Sequence, residues 1–172
     1  VQFVQQLVNG VSLGAIYALI ALGYTMIYGV LRFINFAHGD VFMVGAYIGY
    51  FAATSWVSHF FPVGSIESTV LVFLISMTLT AALGAIIEFL AYRPLRSRPK
   101  LTVLITAIGV SLFLEYTGQL VFTANPRGFP AIIPNHAIIH TKSLTIDTVE
   151  VVVILLSLVL MFLLRIIVMK TK

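Results

Sequence analysis

The sequence predicts an all-α fold, a polytopic transmembrane helix bundle of about five spans, and three observations carry that expectation. Of 172 residues, 60% are hydrophobic and only 9% charged, with a mean hydropathy of +1.07. A globular chain is about 45–50% apolar and about 25% charged, so this one lacks the groups that keep a surface wet. Its apolar residues are gathered into five runs of 18 to 25 residues, each enough to cross roughly 30 Å of hydrocarbon at 1.5 Å per residue. Lipid offers no partner to an open backbone N–H or C=O, so each run is expected to be a helix.

The first run, Val11 to Leu31, and the second, Val41 to Phe61, are 21 residues each without Asp, Glu, Lys or Arg. The first is longer than the roughly 7–15 residues of a signal-peptide core and has no basic residue ahead of it, so it is read as a retained span. The third, Ser68 to Tyr92, holds only Glu88; the fourth, Leu101 to Phe122, only Glu115; the fifth, Val151 to Val168, only Arg165. All 172 residues are read as a single membrane domain.

Charge sets the expected orientation. Arg93, Arg96, Arg98 and Lys100 sit between the third and fourth spans, and Arg165, Lys170 and Lys172 close the chain. Placing that inner loop in the cytoplasm puts eight basic residues inside, Arg32 included, and two, Arg127 and Lys142, outside. The excess marks the cytoplasmic side, so the N-terminus is expected outside and the C-terminus inside. Because the basic residues flank apolar runs instead of sharing one wet face, the pI of about 9.6 points to a membrane and not to nucleic acid.

Residues Thr123 to Glu150 form a 28-residue outer loop. Pro126, Pro130 and Pro134 exclude a regular helix there, and Ser143 to Glu150 alternates weakly, as a short strand would. A loop of that length is either functional or a tether. Within the spans, Gly10, Gly14 and Ala18, and again Gly45, Gly49 and Ala53, recur every four residues. Such small-residue stripes allow helix backbones to approach closely. Tyr17, Tyr24 and Tyr28 share one helical face, as a packing ridge or a path lining would.

Several chemistries are excluded. With no cysteine there is no disulfide, thiolate nucleophile or iron–sulfur cluster. No lysine follows a glycine, so no P-loop can hold ATP and any energy must come from a partner or a gradient. The i, i+4 pair His136 and His140 has Ala137 where a zinc protease needs its general base. No enzyme, cofactor or metal site is expected.

Ionisable groups inside the spans are expensive and usually turned inward. Glu88, five residues before Arg93, suits pairing or snorkelling at the inner end, and Arg165 suits snorkelling. Glu115 is deeper, about 21 Å along its span from Leu101, facing either a translocation path or a neighbouring helix. The most unusual stretch is Arg32-Phe-Ile-Asn35-Phe36-Ala37-His38-Gly39-Asp40. It fits a discontinuous helix of the kind that builds solute sites, or a plain turn in which Asp40 caps a helix starting at Val41.

Asn9-Gly-Val-Ser-Leu-Gly-Ala-Ile-Tyr-Ala-Leu-Ile-Ala-Leu-Gly-Tyr24, then Tyr28-Gly, Ile34-Asn-Phe-Ala-His-Gly-Asp40 and Gly45-Ala-Tyr47 resemble the permease subunits of bacterial ABC importers for branched-chain amino acids, the LivH type. Ala91-Tyr-Arg-Pro-Leu-Arg96 and Thr106-Ala-Ile-Gly-Val-Ser111 are similar to the next two signatures in order. The resemblance implies a multi-pass subunit of the bacterial inner membrane that works with a second permease subunit, two ATP-binding cassette ATPase subunits and a periplasmic solute-binding protein. It also implies that the Asn35 to Asp40 segment is more than a turn. Chains of this family are longer, continuing into an ATPase-docking loop and further spans, so these residues are expected to be the N-terminal part of a permease. A urea or amide importer, or a noncatalytic membrane scaffold, are the alternatives.

The orientation has a direct test in a chain without background thiols. A membrane-impermeant thiol reagent applied to intact cells should label Ser143→Cys and leave Ser97→Cys untouched; labelling at Ser97→Cys would reverse the topology.

Overall fold

The computed structural model describes residues 2–31, 34–62, 64–133, 137–141 and 144–170; Arg32, Pro134, His136, Lys142, Ser143 and Lys172, used above, lie outside the described residues. Five helices carry the chain: α1 (Gln2–Leu31), α2 (His38–Phe51), α3 (Ile66–Ile87), α4 (Lys100–Phe122) and α5 (Thr148–Lys170). With the short helical turns that extend α2 and α3, all five are long and apolar enough to cross a membrane. The chain divides into two compact units, Val1–Val30 with Ile133–Lys172, and Leu31–Ile132.

In the first unit, α1 starts nine residues ahead of the uncharged run at Val11, because Gln5, Gln6 and Asn9 are polar but compatible with a helix. Two strands, β1 (Ala137–Thr141) and β2 (Leu144–Asp147), depart from the all-helical pattern and pair antiparallel, Thr141 opposite Leu144, with an irregularity between Ala137 and Ile139. The alternation from Ser143 to Glu150 thus makes a strand only to Asp147. There α5 takes over, because the Asp147 N–H donates to Glu150 Oε2 at 3.4 Å, the reach-back bond of a capping box. Glu150 has a second role: with the Asn9 amide oriented to satisfy both groups, its nitrogen donates to Glu150 Oε1 at 3.1 Å, tying α1 to the start of α5.

In the second unit, α3 packs antiparallel to α2, and α4 parallel to it. Ser76 donates to the Gly45 carbonyl at 2.8 Å, Met43 lies over Gly118, and the Tyr47 and Phe122 rings stack at 4.4 Å. The buried residues are small: Gly45, Gly49, Ala52, Ala53, Ala107, Gly118 and Ser68, with Val57, Val72, Val103, Leu114 and Tyr92. Large apolar side chains face outward instead, Leu120 86% and Phe60 82% exposed. That inversion is what lipid permits: apolar bulk loses nothing by facing acyl chains, while small residues let backbones meet.

The stripe Gly45, Gly49 and Ala53 lies on that contact. A Cβ on Gly45 would stand 2.7 Å from Thr80 Oγ1, and one on Gly49 3.5 Å from Ser76 Oγ. By contrast Gly10, Gly14 and Ala18 are exposed, and within their own unit nothing meets the two glycines. Two helices end alike. Past α2, Ala52–Trp56 is π-helical and Val57–His59 a 3-10 turn; past α3, Glu88–Tyr92 and Arg93–Leu95 repeat the sequence of turns.

Thr80 Oγ1 is buried and makes no hydrogen bond, so its removal is inexpensive whereas crowding it is not. Gly45→Ala should cost about 1–3 kcal/mol in detergent unfolding despite the better helix propensity of alanine. Thr80→Ala in the same chain should restore most of the loss. Gly84→Ala, which meets open space, is the neutral comparison, and a Gly45→Ala chain at native stability would refute the close contact.

Candidate functional site

The break between α1 and α2 is where the signature segments meet. Residues 34–37 are non-helical, and α2 begins at His38 with the Val41 N–H donating to the Ala37 carbonyl at 2.9 Å. Its cap is therefore Ala37, which offers no side-chain bond; Asp40 lies in the first turn and is not the cap of a helix starting at Val41. The capping reading of that carboxylate is corrected.

Side chains take over where the helix is interrupted. Asn35 Oδ1 accepts the Ala37 N–H at 3.1 Å and the Tyr92 hydroxyl at 2.6 Å. The first bond is a local turn that substitutes for a helical hydrogen bond; the second fastens the break to the end of α3. Tyr92 is 2% exposed, delivered by the Glu88–Tyr92 π-turn. Asp40 Oδ2 accepts from Ser111 Oγ on α4. Ser111 is eleven residues past Lys100, about 16 Å up the helix, so α2 starts alongside the middle of α4 and not at its N-terminal end. Ala37 is fully buried, His38 half-buried, and Phe36 and Gly39 exposed.

The remaining expected residues lie elsewhere. Glu115 is one turn beyond Ser111 but exposed, and does not join the cluster. Among the described residues the one ion pair is Arg96 with Glu88, at 2.6 Å, so Glu88 pairs just past the C-terminal end of α3. Being largely exposed, that pair adds little stability. Arg93 stacks 5.4 Å from the Phe89 ring centre, while Arg98 and Lys100 are exposed.

Tyr92, Ser111, Ser76 and Thr80 had no assigned role in the sequence. Tyr92 and Ser111 stand inside two of the signature segments, and that co-occurrence was the available signal; Ser76 and Thr80, four apart on the face toward α2, carried none.

The family described as the permease component of branched-chain amino acid transport systems matches residues 6–172. The chain is 38% identical over 164 residues to the high-affinity branched-chain amino acid transport system permease protein BraD of Pseudomonas aeruginosa, covering 93% of this chain and 53% of that protein. It is 38% identical over 157 residues to LivH of Salmonella typhimurium and 37% to LivH of Escherichia coli K12, each covering 88% of this chain and 50% of the relative. The chain thus spans about half the length of the curated relatives it matches. No solved structure matches it.

The Asn35–Tyr92 bond is separable from bulk packing by a double-mutant cycle. Asn35→Ala should destabilise by about 1–3 kcal/mol, since it takes the acceptor from both the Ala37 N–H and the Tyr92 hydroxyl, and Tyr92→Phe by about 0.5–1.5 kcal/mol, since Asn35 Oδ1 keeps the Ala37 N–H. Their effects should be non-additive by roughly 1 kcal/mol. Strict additivity in unfolding measurements would show that the two side chains do not hold one another.

Proposed function

We propose, because the chain belongs to the family of permease components of branched-chain amino acid transport systems, that the complete protein is a transmembrane permease subunit of an ABC importer. Its solutes are branched-chain amino acids, and its site is the bacterial inner membrane. The N-terminus lies outside and the end of α5 in the cytoplasm, the orientation the basic residues favour. A second permease subunit completes the path, two ATP-binding cassette ATPases supply the energy that a chain without a P-loop cannot, and a periplasmic binding protein delivers solute to the outer loop.

The observation that carries the reading is the interrupted helix. An unwound segment with its polar groups fixed from neighbouring helices is the construction that presents backbone dipoles to a solute within a membrane. Here the start of α2, half-way up α4 and bonded through Asp40 to Ser111, supplies that construction. Asn35, Phe36, Ala37, His38, Gly39 and Asp40 form the wall of the translocation path. Glu115, at a similar depth, faces protein or that path, because a carboxylate turned to lipid costs roughly 2.5–3.5 kcal/mol.

Proteoliposomes holding the full assembly should take up labelled leucine in an ATP- and binding-protein-dependent manner, with isoleucine and valine competing and urea inert. Asp40→Ala should lower uptake per assembled complex by about tenfold or more, the equivalent of one stranded buried partner, with the subunit still inserted. Uptake of urea in place of leucine would overturn the solute, and native uptake by Asp40→Ala would return the segment to a structural turn.

A further inference from the structure

The outer end of the second unit holds a cavity that the interrupted helix does not explain. Beyond Phe122, Thr123 adopts φ 68° and ψ 157°, backbone that side chains avoid. The chain then folds back against α2. Phe129 comes to rest against Gly49, within 3.7 Å of where a Cβ would stand, and meets the Tyr50 ring edge-on at 6.4 Å. Between the returning segment and α2 lies a cavity of about 270 Å³ lined by Met43, Tyr47, Tyr50, Asn125, Arg127 and Phe129 among others. Pockets for drug-sized ligands run from roughly 300 to 1,000 Å³, so this one suits a small metabolite.

Its chemistry is asymmetric. Met43, Tyr47 and Tyr50 come from one face of α2, at intervals of four and three, and with Phe129 they make walls that are apolar over most of their area. Arg127 is the cation of the lining. Its guanidinium lies 5.7 Å from the Tyr50 ring centre and 5.6 Å from that of Phe51, and donates one N–H to the Phe122 carbonyl at 3.1 Å. Two ring faces and a carbonyl fix the fork in place, and no carboxylate among the described residues pairs with it. A guanidinium has five donors, and a planar fork held beside apolar walls matches a carboxylate carrying a hydrocarbon body. Asn125 adds a side-chain carbonyl able to accept from an ammonium.

We propose that this cavity binds a small apolar amino acid through its α-carboxylate, with Arg127 as the anchoring residue, at the outer face of the permease. The identity of the amino acid rests on the transport reading above; the carboxylate preference rests on the cavity alone. An acidic side chain of a docking protein is the other chemistry that Arg127 could meet, but apolar walls beside the cation favour a free molecule that carries its own hydrocarbon body.

The test uses the complete permease–ATPase complex in nanodiscs without nucleotide, with equilibrium dialysis of labelled leucine, 4-methylvalerate and isoamylamine. The native complex should bind leucine and 4-methylvalerate and not isoamylamine, which lacks the carboxylate. Arg127→Gln should weaken leucine binding by about tenfold or more, the loss expected of one charge-assisted contact, and Arg127→Lys by less. Ala46→Phe, which fills the cavity from α2 without touching Arg127's partners, should abolish binding in an assembled complex. Equal leucine binding by native and Arg127→Gln complexes would overturn the proposal. So would loss of affinity for the substrate-free binding protein with leucine binding unchanged, since the cation would then be serving a docked protein. If the native complex imports leucine and Arg127→Gln leaves the KM for leucine unaltered, the cavity fails and the permease reading stands. Absence of leucine uptake by the native complex is the separate failure of that reading.

Discussion

In hydrocarbon a backbone group that leaves its helix has no water to turn to, and the arrangement of the second unit follows from that constraint. The chain stops being helical before α2, and the carbonyl of one asparagine side chain absorbs two donors there, one from its own backbone and one from Tyr92. Further along α2 the Gly45 carbonyl accepts from Ser76 of α3, and the first turn is held to α4 through Asp40 and Ser111. Break, stripe and first turn are therefore fastened to two neighbouring helices by hydroxyls. These bonds require α2 and α3 to approach closely, which glycine at 45 and 49 permits. Small residues and hydroxyls are thus two halves of one solution: the former bring the backbones near, and the latter answer the polar groups so exposed.

The ionisable side chains divide by how the chain handles them. Glu88 sits at the C-terminal end of α3 and is met by Arg96. Asp40 is met by a hydroxyl, that of Ser111, in the first turn of α2. Glu115 remains exposed on α4. Two carboxylates within apolar runs and one at the edge of a run therefore have three different environments, and only Glu88's is the familiar ion pair.

Much of this architecture was legible in the sequence because hydrocarbon imposes a length and a composition on each crossing segment. The five runs and the five helices coincide, with differences at the ends: α1 begins earlier because glutamine and asparagine interrupt an apolar run without interrupting a helix, and the strand pattern near 147 yields to the Asp147–Glu150 cap. The Asn35 to Asp40 stretch could be singled out from its residue types alone. What could not be read were its partners, since Tyr92 and Ser111 are 57 and 71 residues away and no local pattern encodes which hydroxyl meets which acceptor. Of the two alternatives for that stretch, the one with Asp40 as a cap fails for a local reason: an aspartate ahead of an apolar run has the same appearance whether it starts a helix or lies in its first turn.

The π-turn at Glu88–Tyr92 has a consequence for how such a chain can vary. A π-turn is in effect one residue more than an α-helix needs, so a single deletion between Glu88 and Tyr92 would heal the helix without opening a gap in the chain. The healed helix would be more regular and would keep roughly the same phase beyond the turn, because the wider turn takes up its extra residue locally, leaving the residues that follow facing as before. In evolutionary terms the irregular form stores an insertion that was absorbed without turning the Tyr92 hydroxyl away from Asn35. The same logic applies at Ala52–Trp56, where the extra residue is taken up ahead of Val57 and leaves it in the small core it shares with Val72. Each π-turn is therefore a place where the chain can change length by one residue while the contacts on either side hold.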